Sequence, residues 1–140
     1  MRFFHWSRRF LMPGGLMMAG RSWKAMIPAN DGLPEIGIFL TDKTSAGEWL
    51  ETLEDKGYLY EVEPLGEIIE CHIYSALIDL DNVDVATLGF KDVLLRQWYC
   101  VGDCRVIRMA IDVEELIPNR RGIVIAEVVR KALDAMYPDE

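Results

Sequence analysis

The stretch RFFHWSRRFLMPGG, residues 2–15, decides how the rest of the chain is read. A short, basic, apolar start is one form of a secretion signal. An aromatic run with a His near its end is one form of a binding-site strand. A signal needs an unbroken apolar core of roughly 7–15 residues. Here Phe10-Leu11-Met12 is cut off by Pro13-Gly14-Gly15, and Leu16-Met17-Met18-Ala19 is too short. The strand reading therefore holds: Phe3 to Trp6 forms a short strand, and the Pro-Gly pair turns the chain. No stretch reaches the roughly 18 apolar residues of a membrane helix. A soluble, cytoplasmic chain that keeps its N-terminus and does not engage a membrane is expected.

Working outward, 140 residues suit one domain, residues 1–140, with its own core. A net charge of −8 argues against general nucleic-acid binding, which needs surplus Lys and Arg for phosphates. The charge is segregated. Residues 1–30 carry five basic side chains (Arg2, Arg8, Arg9, Arg21, Lys24) and no acidic one, so the other 110 hold 10 basic and 23 acidic. A basic segment on an acidic body is either an anion site or a solvated arm.

The three cysteines, Cys71, Cys100 and Cys104, form no closed disulfide set. Cys100 and Cys104 can bridge a hairpin. With Cys71 and His72 they can also be drawn as a three-Cys, one-His zinc site. However, Cys71 and His72 are strand neighbours and point to opposite faces. Buried, reduced thiols without metal are the expectation.

Periodicity gives a small α+β fold. Ile36 to Leu40 reads as a strand after a loop over 20–35. A helix follows, opened by a Ser45-x-x-Glu48 capping box, with Ala46, Trp49, Leu50 and Leu53 on one face and Gly57 as its stop. Tyr58 to Val62 is a strand turned by Pro64-Leu65-Gly66, and Glu67 to Tyr74 is another. Residues 79–92 are acidic and irregular, with a short helix around Val85–Leu88. Asp92 to Cys100 and Cys104 to Ala110 read as a β-hairpin across Val101-Gly102-Asp103. Ile123 to Met136 reads as a helix with Ile125, Val128, Val129, Ala132 and Met136 near one face.

The chain contains no phosphate loop, GxGxxG, GxSxG or HExxH. The spacing around His5 is more informative. Leu11 lies six residues on, Gly14 three further, and Gly20 six after that. Ile38-Phe39-Leu40-Thr41 is followed by Ala46 and Trp49. The third strand closes in Val62-Glu63-Pro64-Leu65-Gly66. In order and at this spacing, these fragments resemble ADP-ribosyltransferases, the rifamycin ADP-ribosyltransferase group in particular. The resemblance covers residues 3–66, about half of the chain.

The resemblance implies a split β-sheet core with two or three helices and an NAD cleft between two small sheets. It implies that His5 hydrogen-bonds the adenosine ribose and that Phe39, standing where the family has Tyr, stacks on nicotinamide. Trp6, Ser7, Arg8, Thr41 and Trp49 join the cofactor-binding set, and Arg8 or Arg21 suits the pyrophosphate. Loss of nicotinamide builds positive charge on the ribose, which a carboxylate stabilises. Glu70 is the catalytic candidate, one place before the family's position; Asp81 and Gln97 are the alternatives. A Gln can hydrogen-bond a ribose but brings no charge.

Plainer readings stand beside these. His5 between aromatics can be a satisfied core histidine, Phe39 and Trp49 core side chains, and Glu70 a solvated strand residue. Arg120 and Arg121, ahead of the last helix, read as solvent-facing. The functional expectation is an NAD-dependent mono-ADP-ribosyltransferase with an unidentified acceptor and no metal. The alternatives are a silent binding or scaffold protein of the same fold and a structural α+β protein without a cleft.

Overall fold

A computed structural model describes residues 1–21, 33–47, 57–71, 97–119 and 121–139. Eight strands lie within these residues: β1 Phe3–Ser7, β2 Leu16–Met17, β3 Gly20–Arg21, β4 Ile36–Thr41, β5 Tyr58–Pro64, β6 Glu67–Cys71, β7 Gln97–Val101 and β8 Cys104–Asp112. Two helices follow, α1 Val113–Leu116 and α2 Ile125–Met136. The fold is α+β and every strand pair is antiparallel, in the order β2-β8-β5-β1-β4-β7-β6, with β3 beside β4.

The pairing is uneven. β1 runs in register with β5 along its whole length, from Phe3↔Val62 to Ser7↔Tyr58. It meets β4 at one position, Phe4↔Thr41. This seam divides the sheet into two halves, β2-β8-β5-β1 and β4-β7-β6. Residues from both halves share one apolar layer: Ile38, Leu40, Trp98 and Cys100 from one, Tyr60, Val62, Cys104 and Val106 from the other. Phe3 sets its ring edge-on to Trp98 at 5.5 Å across this layer. We call this the inner face.

The expected β7–β8 hairpin does not form. β7 pairs with β4 and β6, whereas β8 pairs with β5 and β2. Residues 101–103 cross between the halves, and so does Leu65-Gly66. Both runs are apolar as paired strands are, but an apolar run carries no record of which neighbour is paired. The two crossings lock together: Leu65 N–H donates to the Asp103 carbonyl at 3.0 Å. A Cβ on Gly66 would fall on the Val101 carbonyl oxygen, so the close approach requires glycine there.

The outer face of the first half is covered by α2. Phe4, Leu59 and Ile111 pack with Ala46, Val113, Val129, Leu133 and Tyr137. The helix starts at Ile125, two residues later than expected, and its buried stripe is Ala126, Val129 and Leu133, with Met136 exposed. Its C-terminus is clasped from the sheet side. Lys43 Nζ donates to the Tyr137 carbonyl (2.9 Å) and pairs with Asp134 (3.1 Å), a cation where the helix dipole favours one. The Tyr137 hydroxyl donates to Glu61 (2.6 Å) and accepts from Arg108 Nε (2.9 Å), while the guanidiniums of Arg2 and Arg108 each lie 4.7 Å from its ring centre.

Other expectations shift. Gly20–Arg21, read as loop, pairs with β4, and Leu16–Met17 adds an edge strand to β8. Asp112 caps α1 by accepting from Glu114 N–H. Ahead of Ala46, Asp42 turns the chain: its carboxylate accepts from Ser45 N–H (2.8 Å) and its carbonyl from Ala46 N–H (3.1 Å). Glu48, Trp49, Leu50 and Leu53 lie outside the described residues, as do 72–74 of the expected Glu67–Tyr74 strand and the helix expected at Val85–Leu88.

Candidate functional site

Side chains alternate along β1. Phe4 and Trp6 face the outer layer under α2, while Phe3 packs on the inner layer, so His5 shares the inner side. Past Phe4↔Thr41 the backbones of β1 and β4 part, and the imidazole of His5 takes over the contact. Its Nδ1 lies 2.6 Å from the Phe39 carbonyl oxygen. A carbonyl only accepts, so Nδ1 carries the proton, and in the neutral ring Nε2 is the acceptor. Further along the same strand, β3 pairs at Gly37 and Ile36. One side of β4 is thus met in turn by β1, the His5 ring and β3.

Beside His5 on β5 stands its register partner Tyr60. The chain leaving β1 crosses over this tyrosine. The Tyr60 hydroxyl accepts from Leu11 N–H (2.7 Å) and donates to the Arg9 carbonyl (2.8 Å). Ser7 Oγ accepts from Arg9 N–H (3.1 Å), and Phe10 sets its ring edge-on to Tyr58 at 5.8 Å. Residues 7–11 form a strap over the Tyr60 hydroxyl, with Arg8 and Arg9 exposed on it. Pro13 and Gly14 then turn the chain as expected: Gly15 N–H donates to the Met12 carbonyl, and Gly14 sits at φ +83°, the type II geometry. Burial raises the Tyr60 phenol pKa, which keeps the proton that it donates to Arg9.

The remaining candidates are distributed around this centre. Trp6 donates its indole N–H to the Ala46 carbonyl (2.8 Å) on the outer side. Phe39 alternates with Ile38 and Leu40, so its ring lies on the side opposite His5, 4.7 Å from the Tyr99 ring. Tyr99 in turn donates to the Pro34 carbonyl (2.6 Å). Thr41 is buried between Phe4 and Gln97 in one cross-strand row. Arg21 forms an exposed ion pair with Glu35 (3.2 Å) beside β3. Arg121 is exposed; Arg120, Trp49 and Asp81 lie outside the described residues.

The two described candidates for the acidic position differ sharply. Glu70 is exposed on the edge strand β6. It lies across Trp98 and Leu40 from β1, three strand steps or about 14 Å from His5. The structure does not bring them together. Gln97 opens β7, one strand closer to the seam, and is 3% exposed. Its Oε1 is fully buried without a hydrogen-bond partner among the described residues. Such an acceptor costs about 1–3 kcal/mol unless a donor reaches it.

All three cysteines are free, Cys100 and Cys104 fully buried and Cys71 partly so. Burial pushes the Cys71 thiol up to about 11, with the Glu70 charge adding to it. Burial also raises Cys104, and neighbouring Cys100 adds to that. Among the described residues no group of three or more His, Cys, Asp or Glu can hold a metal ion; His72, which the zinc alternative needs, lies outside them. Nor is any helix among them long and apolar enough to cross a membrane.

Tyr60 is the residue beside His5 that sequence reading passed over. Its inward position in the alternating Tyr58-Leu59-Tyr60 run was visible, but its pairing with the strap was not. The chain matches no protein-family model and no curated protein.

Proposed function

We propose that the chain is an NAD-binding domain of the ADP-ribosyltransferase type, transferring ADP-ribose to an acceptor. The observation that carries the reading is the seam. Two half-sheets meet at one residue pair, and the imidazole of His5 spans the gap beyond it with Nδ1 on the Phe39 carbonyl. The resulting Nε2 acceptor suits a ribose hydroxyl. The strap beside it carries Arg8 and Arg9 with no acidic residue from 1 to 30, which suits a pyrophosphate. Holding both ends of the dinucleotide would supply orientation. In this reading Glu70 is the candidate to stabilise charge on the ribose as nicotinamide leaves.

A second reading, a silent binder of the same type, is favoured by the acidic position. Gln97 is a neutral amide on the side opposite His5, and Glu70 sits on the edge strand β6. Among the described residues neither brings a carboxylate beside His5.

Titration of intrinsic Trp fluorescence with NAD tests both readings against a protein with no cleft. Saturable quenching is expected. Incubation with NAD and a cell lysate then separates them: nicotinamide release that depends on Glu70 supports transfer, and saturable binding without release supports the silent form. No binding by any optical or calorimetric readout removes both.

A further inference from the structure

Resting on the nucleotide-binding reading, we propose that Tyr60 is a positioning residue for an anion site on residues 8–11. Its hydroxyl fixes the backbone that carries Arg8 and Arg9, so that these guanidiniums meet the phosphates of a nucleoside diphosphate. The hydroxyl makes two backbone hydrogen bonds within the strap, one to each side of Phe10. Both are short, at 2.7 and 2.8 Å, and they bind the strap to the strand that pairs with β1 at His5. The ring is fully buried in the inner layer, so the hydroxyl has a fixed address.

The arrangement costs more than packing alone requires. A Phe would fill the same space in the inner layer, and the strap would still have the Phe10–Tyr58 ring contact and the Gly14–Val106 bond to hold it. The hydroxyl adds a fixed path for residues 9–11 and hence a fixed direction for the two side chains at the strap's start. Arg side chains lose much rotamer freedom on binding a phosphate, and a preset backbone reduces that loss. Ser7 Oγ, accepting from Arg9 N–H, constrains the same turn from the strand side.

The test compares ADP with adenosine, which share base and ribose and differ in phosphate. Binding of each to the full chain is measured by calorimetry at several salt concentrations. In Tyr60→Phe, ADP is expected to weaken about 5-fold, the value of a lost neutral hydrogen bond, while adenosine holds. Arg9→Gln, on the exposed strap, is expected to lower the ADP preference and flatten its salt dependence. An unchanged ADP-to-adenosine ratio in Tyr60→Phe overturns the positioning role. Should Tyr60→Phe fail to fold, an unchanged ratio in Arg9→Gln overturns the proposal instead. If the wild type binds neither ligand, the nucleotide reading falls and this inference with it.

Discussion

The two halves of the sheet solve the same burial problem differently. The first half has an apolar outer face, Phe4, Leu59 and Ile111, sealed by the Ala126–Val129–Leu133 stripe of α2. The second half buries polar side chains on its outer face: Thr41 at 4% exposure and Gln97 at 3%, beside the Phe39–Tyr99 ring pair. One of these polar atoms, Gln97 Oε1, has no partner among the described residues. Apolar burial stabilises a domain, whereas an unsatisfied buried acceptor works against it. The first half is thus built for stability, and the second holds polar groups that stability alone does not explain. His5 stands where they join.

Substitutions in each half sharpen this contrast. Leu133→Ala removes a fully buried side chain under the first half and is expected to cost about 3 kcal/mol in chemical unfolding. Gly66→Ala strikes the crossing that links the halves, with its Cβ against the Val101 carbonyl, and is expected to cost about 2 kcal/mol. Tyr137→Phe keeps the ring but loses the hydroxyl bonds to Glu61 and Arg108; about 1.5 kcal/mol is expected by the same assay. Gln97→Leu should act in the opposite direction. Replacing an amide whose acceptor has no partner among the described residues with an apolar side chain of similar size is expected to raise stability by about 1 kcal/mol. A destabilised Gln97→Leu would show that the amide is satisfied and would end the contrast.

Thiol chemistry gives the smallest effect. In the folded protein Cys71 titrates near 11, above its ordinary 9.0, because its thiolate is disfavoured by burial and by Glu70. Its thiolate is therefore half-formed only near pH 11, whereas in the unfolded chain that midpoint lies near pH 9. Alkylation of native protein is expected to follow the higher midpoint and to label Cys71 alone, with Cys100 and Cys104 reacting after denaturation.

Much of the fold was legible locally. β1, β4 and β5 fell where alternation and turn residues placed them, and Pro13-Gly14 turns the chain as its composition demands. What sequence concealed was pairing. Residues 97–112 look like a hairpin because two apolar runs flank a Gly-Asp turn, yet each run belongs to a different half. The turn ahead of Ala46 was also hidden: Asp42 accepts from Ser45 N–H, and only the path out of β4 sets that bond. At the seam, the place of His5 on β1 was visible from the aromatic run around it. Tyr60 was not, since its partners are the backbone groups of Arg9 and Leu11, which any residue type supplies.

The central claim is that His5 serves a ligand at the seam rather than packing alone. Calorimetric titration of NAD into wild type and His5→Ala, with both melts recorded, tests it most directly. Saturable binding by the wild type, weakened about 10-fold or more in a folded His5→Ala, is expected from loss of a buried hydrogen bond and of the seam contact together. Equal affinity in the two folded proteins, or no heat of binding in either, would contradict it.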